Sequence, residues 1–94
     1  MMVDEELKRI FKQMDYVKRW IGVLLPSVRQ DISSIVDNQV RDSRRIERLL
    51  DDLLGYMSLG MAEKEFHALN SYYATFNPEH AKQYERFGRE MSEL

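Results

Sequence analysis

The chain has 94 residues, a formal net charge of −2 and no cysteine. Without cysteine there is neither a disulfide framework nor a thiolate metal site, and the near-neutral charge provides no global positive field for nucleic acid. With 32% charged and 44% hydrophobic residues, the composition is typical of a soluble helical domain. We expect one domain over residues 1–94. We also expect a cytoplasmic location, because the N-terminal residues do not resemble a signal peptide and no segment resembles a membrane span.

The first predicted helix covers about residues 3–21. Three acids at positions 4–6 lie in its first turn, where negative charge stabilises a helix. Its apolar residues alternate at spacings of four and three, a heptad pattern that is typical of helices packed against another helix. These seam residues are Val3, Leu7, Ile10, Met14, Val17, Ile21 and Leu24.

Residues 22–27 allow two interpretations. Gly22 can end the first helix and Ser27 can cap the next, with Gln30 completing a capping box. Alternatively, the helix continues through Pro26 with a kink near Gly22. The capping residues, and a slip of the heptad spacing at Pro26, favour the first interpretation. The sequence therefore predicts an N-terminal helical hairpin.

The most strongly patterned segment, residues 27–59, predicts one long amphipathic helix. Two polar residues, Gln39 and Asp42, lie at the centre of its seam. They fit either a polar layer that fixes the register of a partner helix or a part of the seam that no partner covers. A new helix starting near Asp42 is the alternative, but Arg44 and Arg45 would then lie in its first turn, where the helix dipole disfavours cations. The seam consists of Val28, Ile32, Ile35, Gln39, Asp42, Ile46, Leu49, Leu53 and Tyr56.

A continuous helix over residues 27–59 would be roughly 50 Å long at about 1.5 Å per residue. A compact globule of this size is only about 30–35 Å across. Such a helix needs a partner along its length, and we therefore expect a homodimer or a higher helical oligomer.

The C-terminal third predicts two shorter helices, over about residues 61–76 and 78–92. Gly60 separates the first of them from the long helix, and Asn77-Pro78 is a favourable start for the second. No segment shows the sustained alternation of a strand. The predicted fold is an all-α helical bundle with one long heptad-patterned helix.

Four arginines form the main candidate site. Arg41, Arg44, Arg45 and Arg48 fall on one side of the predicted long helix, where guanidinium groups suit phosphates, carboxylate ligands or an acidic partner. Acidic neighbours at helical spacing favour a solvated face of mixed charge instead. No nucleophile with an adjacent base, no phosphate-binding glycine loop and no set of metal ligands is present, so no cofactor or metal is predicted.

These patterns favour a non-enzymatic helical interaction protein that acts as a homo-oligomer. One alternative is a nucleic-acid-associated accessory protein that uses the Arg41–Arg48 group. Another is a small helical enzyme with a site for an anionic ligand between its helices.

Overall fold

The computed structural model describes the backbone of residues 2–93 and the side chains of Arg9 and residues 13–93. The described residues form four α-helices and no strand, which confirms the all-α prediction. The side chains of Val3, Leu7 and Ile10, which begin the predicted seam, lie outside the described residues. The helices are α1 (Met2–Asp37), α2 (Ser43–Met57), α3 (Glu63–Ala74) and α4 (Pro78–Ser92).

The molecule is elongated because α1 is much longer than the other helices. Its 36 residues correspond to about 54 Å, and the longest dimension of the molecule is 55 Å. Residues 21–37 of α1 pack with α2, α3 and α4 into a body, whereas residues 2–20, here called the outer half of α1, extend beyond it. In the described part of the chain, no helix is long and apolar enough to cross a membrane.

The predicted N-terminal hairpin is wrong, because α1 continues through Pro26. The proline removes one backbone hydrogen bond and crowds the preceding turn, at a cost of about 3 kcal/mol. Burial of apolar side chains on both sides of Pro26 offsets this cost: Ile21 and Leu25 precede it, and Ile32 and Ile35 follow it.

The predicted continuity of residues 27–59 is also wrong, because the chain turns between Asp37 and Ser43. Gln39 adopts a left-handed backbone conformation with a φ of 51°. The amide of Gln39 donates to the Val36 carbonyl, and that of Val40 donates to the Ile35 carbonyl. This is the Schellman pattern that ends many helices. Asp42 then caps α2, since its carboxylate accepts a hydrogen bond of 3.2 Å from the Arg45 amide.

The body has one continuous apolar core to which every helix contributes. α3 packs against each of the other helices, and an ion pair of 2.7 Å between Arg29 and Glu65 adds a polar contact between α1 and α3. Gly60, with a φ of 76°, separates α2 from α3 as the sequence predicts. The fully buried large side chains are Ile35, Ile46, Leu50, Leu53, Phe66, Leu69 and Tyr73.

Candidate interaction surface

The outer half of α1 and the next helical turn, residues 21–24, carry an exposed apolar surface. Val17 is 44% exposed and Trp20 is 54% exposed, whereas Ile21, at the edge of the body, is only 4% exposed. Fully burying a side chain of this kind contributes about 1.5–3 kcal/mol, so the exposed fraction leaves roughly 1 kcal/mol per residue for a partner to recover. The members of this surface, here called the α1 surface, are Met14, Tyr16, Val17, Trp20, Val23 and Leu24.

Two residues of the α1 surface, Met14 and Val17, continue the face of the helix that packs into the body. At 100° per residue, Met14 and Val17 lie on the same side of α1 as the buried Ile21, Ile32 and Ile35. The packed face of the helix therefore continues into the outer half, whereas Tyr16 and Val23 lie on the opposite side of α1. The body covers the C-terminal part of the packed face and leaves Met14 and Val17 uncovered.

The four arginines of the candidate site do not share one continuous helix. Arg41 lies in the turn before α2, where its guanidinium carbon is 5.9 Å from the centre of the Phe76 ring. Arg44, Arg45 and Arg48 are exposed on α2. Of these three, Arg45 lies 3.6 Å from the carboxylate of Asp31 on α1.

The two residues of the predicted polar layer have local roles in the turn. Gln39 occupies the left-handed position that ends α1, and Asp42 caps α2. A seam running through both residues requires a continuous helix, which they interrupt. Neither residue lies within a helix, where it could face a partner helix and fix its register.

The position of the four arginines can be compared with five surface cavities in the described part of the chain. Five surface cavities are lined by residues 13–19 of α1 or by residues 57–93, and none of the five includes Arg41, Arg44, Arg45 or Arg48.

An open groove of about 450 Å³ lies between α3 and α4. Below it, the buried Asn70 amide nitrogen donates a hydrogen bond of 2.9 Å to the Ala81 carbonyl. The amide oxygen of Asn70 finds no partner among the described residues, but it is itself buried from solvent, so a ligand in the groove does not reach it. Asn70 therefore joins the two helices, and the groove shows no built ligand site.

A polar cluster around Glu47 joins α2, α3 and α4. The Glu47 carboxylate accepts a hydrogen bond from the Tyr73 hydroxyl and lies 2.7 Å from His80 Nδ1. The Asn77 amide donates to the Tyr73 oxygen at 3.0 Å. The contacts to His80 and Tyr73 outweigh the effect of burial and lower the pKa of Glu47. Burial and the hydrogen bond to Glu47 raise the pKa of Tyr73.

The Glu47 cluster was not predicted from the sequence. Tyr73 and His80 are 26 and 33 residues from Glu47, so no local spacing indicates that they meet. A second bond of the same kind, 2.9 Å from the Tyr84 hydroxyl to Asp51, lies one helical turn further along α2. Both contacts fasten α2 to the neighbouring helices.

The described residues include no group of three or more histidine, aspartate or glutamate side chains placed to hold a metal ion. Glu63 and His67, four residues apart on α3, are both exposed, with 3.7 Å between Oε1 and Nε2. No protein-family model matches the chain, and comparisons with curated proteins and with solved structures find no match.

Proposed function

We propose that the protein is a non-enzymatic interaction protein that self-associates through the face of α1 that carries Met14 and Val17 and displays its body to a larger assembly. The observation that supports this proposal most directly is the projection of the outer half of α1 beyond the body with Met14 and Val17 uncovered. An apolar stripe of a projecting helix gains free energy when a second helix covers it. The proposed setting is the cytoplasm.

A second copy is the simplest partner, since self-association uses the same apolar stripe twice. The heptad spacing of the outer half is the pattern that two helices need in order to interlock their side chains. Each exposed apolar residue of the stripe is then buried in both copies of the dimer. At roughly 1 kcal/mol per half-exposed side chain, several such residues suffice to offset part of the entropic cost of association.

Nucleic-acid binding by Arg41, Arg44, Arg45 and Arg48 is less well supported. The helix break separates Arg41 from the other three, and Arg45 has an acidic neighbour in Asp31. If the arginines bind nucleic acid, their combined replacement by serine lowers its retention at low salt. If the unmodified protein shows no salt-dependent retention, this alternative is wrong.

Sedimentation equilibrium at micromolar concentration tests the self-association. The unmodified protein is expected to be dimeric, and Val17→Glu is expected to be monomeric because it places a charge in the apolar stripe. Arg19→Glu is the matched control: it introduces the same side chain two residues along, on the opposite side of α1, and is expected to remain dimeric. Circular dichroism confirms that each variant is helical. A folded, monomeric unmodified protein would contradict the proposal.

A further inference from the structure

Resting on the proposed self-association, we infer that two copies pair the outer halves of α1 in antiparallel orientation, with the twofold axis near Lys12. Three observations lead to this arrangement. They are the position of the body on α1, the symmetry of the seam, and the charges beside the seam.

The body excludes a close parallel pair. It packs on the same face of α1 that carries Met14 and Val17, as the buried Ile21, Ile32 and Ile35 show. In a parallel pair, each seam faces the other helix, so both bodies project into the same space beside the paired helices. In an antiparallel pair, the bodies lie at opposite ends of the paired segment and do not meet.

The seam of the outer half has the symmetry that antiparallel pairing requires. Its four central residues are spaced three, four and three positions apart, so the spacing is the same from either end: Leu7, Ile10, Met14 and Val17. When a twofold axis passes near Lys12, Leu7 lies opposite the partner's Val17 and Ile10 lies opposite the partner's Met14. Each apolar layer then combines the two kinds of seam position, as in antiparallel coiled coils.

The edge of the body selects this register from those one heptad away. Here Val3 lies opposite the partner's Ile21, so the helix overlap ends where the body begins to cover α1. A shift of one heptad in one direction shortens the overlap to residues 3–14. A shift in the other direction carries the partner helix past Ile21 and into the space that the body occupies.

The charges beside the seam favour the same register. Asp4 and Lys18 directly follow the seam residues Val3 and Val17, in the flanking position that faces its equivalent across an antiparallel pair. The register centred near Lys12 therefore places Asp4 beside the partner's Lys18, twice by symmetry. If the register is shifted by one heptad, or if the two helices are parallel, no two residues of opposite charge face each other at the flanking positions.

The resulting dimer is a short rod with one body at each end. The overlap of residues 3–21 corresponds to about 27 Å. Two identical body surfaces then face away from each other, so the dimer is able to join two copies of a further partner. A parallel dimer would instead present both bodies at the same end.

Disulfide trapping tests the orientation, because the chain has no native cysteine. Ile10→Cys and Met14→Cys proteins are prepared separately and mixed in a glutathione redox buffer. The antiparallel register brings Cys at position 10 close to the partner's position 14, so the mixture yields a cross-linked dimer and each protein alone yields little. A Met14→Cys protein that cross-links efficiently with itself would overturn the antiparallel inference.

Sedimentation of the same proteins under reducing conditions separates the inference from the proposed function. Dimers that sediment normally but give no cross-link in the mixture overturn the antiparallel register and leave self-association intact. Proteins that are monomeric like the unmodified chain overturn both. If the two cysteine variants are monomeric while the unmodified protein is dimeric, Gln13→Cys replaces them. Position 13 lies beside the seam and close to its own equivalent only in the antiparallel register, so a cross-linked dimer of this variant supports the register and a dimer that does not cross-link overturns it.

A charge exchange tests the flanking pair. Asp4→Lys and Lys18→Asp each turn two opposite-charge contacts into like-charge contacts, so each is expected to weaken dimerisation roughly tenfold at low salt. The double variant restores both contacts and is expected to recover the parent affinity. Salt at about 1 M should remove the differences by screening. Failure of the double variant to recover affinity at low salt would contradict the register.

Discussion

The hydroxyl of Tyr72 on α3 donates a hydrogen bond of 2.9 Å to the backbone carbonyl of Val40 in the turn between α1 and α2. This contact fixes the place where the chain leaves α1, and it comes from a residue 32 positions away. The carbonyl of Val40 belongs to neither helix, so it depends on such a partner or on water.

Replacing Tyr72 with phenylalanine removes this hydrogen bond and keeps the ring. The free energy of unfolding should fall by about 0.5–1.5 kcal/mol, the usual contribution of one hydrogen bond. Urea denaturation measures the change at a fixed protein concentration, because self-association affects stability. Tyr56→Phe is the control, since the Tyr56 hydroxyl makes no hydrogen bond among the described residues. An equal loss in both variants would show that the Val40 contact is not responsible.

The continuous α1 can be tested at its proline. Pro26 is exposed, and it lies inside a helix in which the amide of residue 26 would otherwise donate to the Gly22 carbonyl. Pro26→Ala should therefore stabilise the protein by about 1–3 kcal/mol. Pro78→Ala is the matched control, because Pro78 is in the first turn of α4, where its missing amide hydrogen costs little. Destabilisation by Pro26→Ala would instead indicate a turn at this position.

The error at Pro26 arose from a choice between two adjacent leucines. Reading the seam through Leu24 produces a slip at the proline, whereas Ile21, Leu25, Val28, Ile32 and Ile35 keep the spacing of four and three across it. Leu25 is buried and Leu24 is 41% exposed, so the second reading is correct. Periodicity indicates that a helix is present, but it does not distinguish two registers that differ by one residue. The decision depends on which side chain the rest of the fold covers.

The error at the turn arose from weighing one electrostatic effect against contacts that the sequence does not reveal. Cations in a first helical turn cost about 0.3–1 kcal/mol each. The Asp42 cap contributes about 0.5–2 kcal/mol, and Val40 also packs against the core and binds Tyr72. The four arginines are exposed, but the continuous stripe that the sequence predicts depends on a helix that the tertiary contacts interrupt.

At the strained end of α1, a substitution by glycine is expected to stabilise the protein. Gln39 has a φ of 51°, a conformation that costs a non-glycine residue about 1–2 kcal/mol. Gln39→Gly should therefore stabilise the protein by about 0.5–1 kcal/mol after glycine's larger loss of entropy. Gln30→Gly is the matched control within α1 and should destabilise by about 0.5–1 kcal/mol. Denaturation midpoints that shift in the same direction for both variants would contradict the turn geometry.

Replacement by alanine is expected to change stability in opposite directions at two helical glycines. A methyl group at Gly88 would lie 2.7 Å from the Phe66 ring, which is fully buried and has no room to move. Gly88→Ala should lower stability by about 1–3 kcal/mol despite alanine's higher helix propensity. At Gly55 nothing lies within 4 Å of the added methyl group, so Gly55→Ala should raise stability by up to about 1 kcal/mol. Thermal denaturation of the two variants tests the packing of α3 against α4, and equal stabilisation would refute it.

The contacts of Glu47 predict a pH dependence of stability. Contacts to His80 and Tyr73 lower the pKa of Glu47 in the folded protein, whereas the unfolded chain has an ordinary glutamate pKa of about 4.3. The stabilisation from Glu47 is therefore fully present above about pH 5, and it is lost as the pH falls through the lowered pKa. Glu47→Gln should cost about 1–2 kcal/mol at pH 6, in the lower range for hydrogen bonds to a charged group because the carboxylate is partly exposed.

Urea denaturation of the parent and of Glu47→Gln from pH 6 to pH 3 measures this dependence. Because the parent loses its ionised Glu47 contacts and the variant has none to lose, the difference in unfolding free energy between them should shrink as the pH falls. Glu90→Gln is the control, since Glu90 is exposed and makes no hydrogen bond or ion pair among the described residues. A difference for Glu47→Gln that stays constant over this range would mean that its cost comes from altered packing, and that the ionised carboxylate does not hold α2 to α3 and α4.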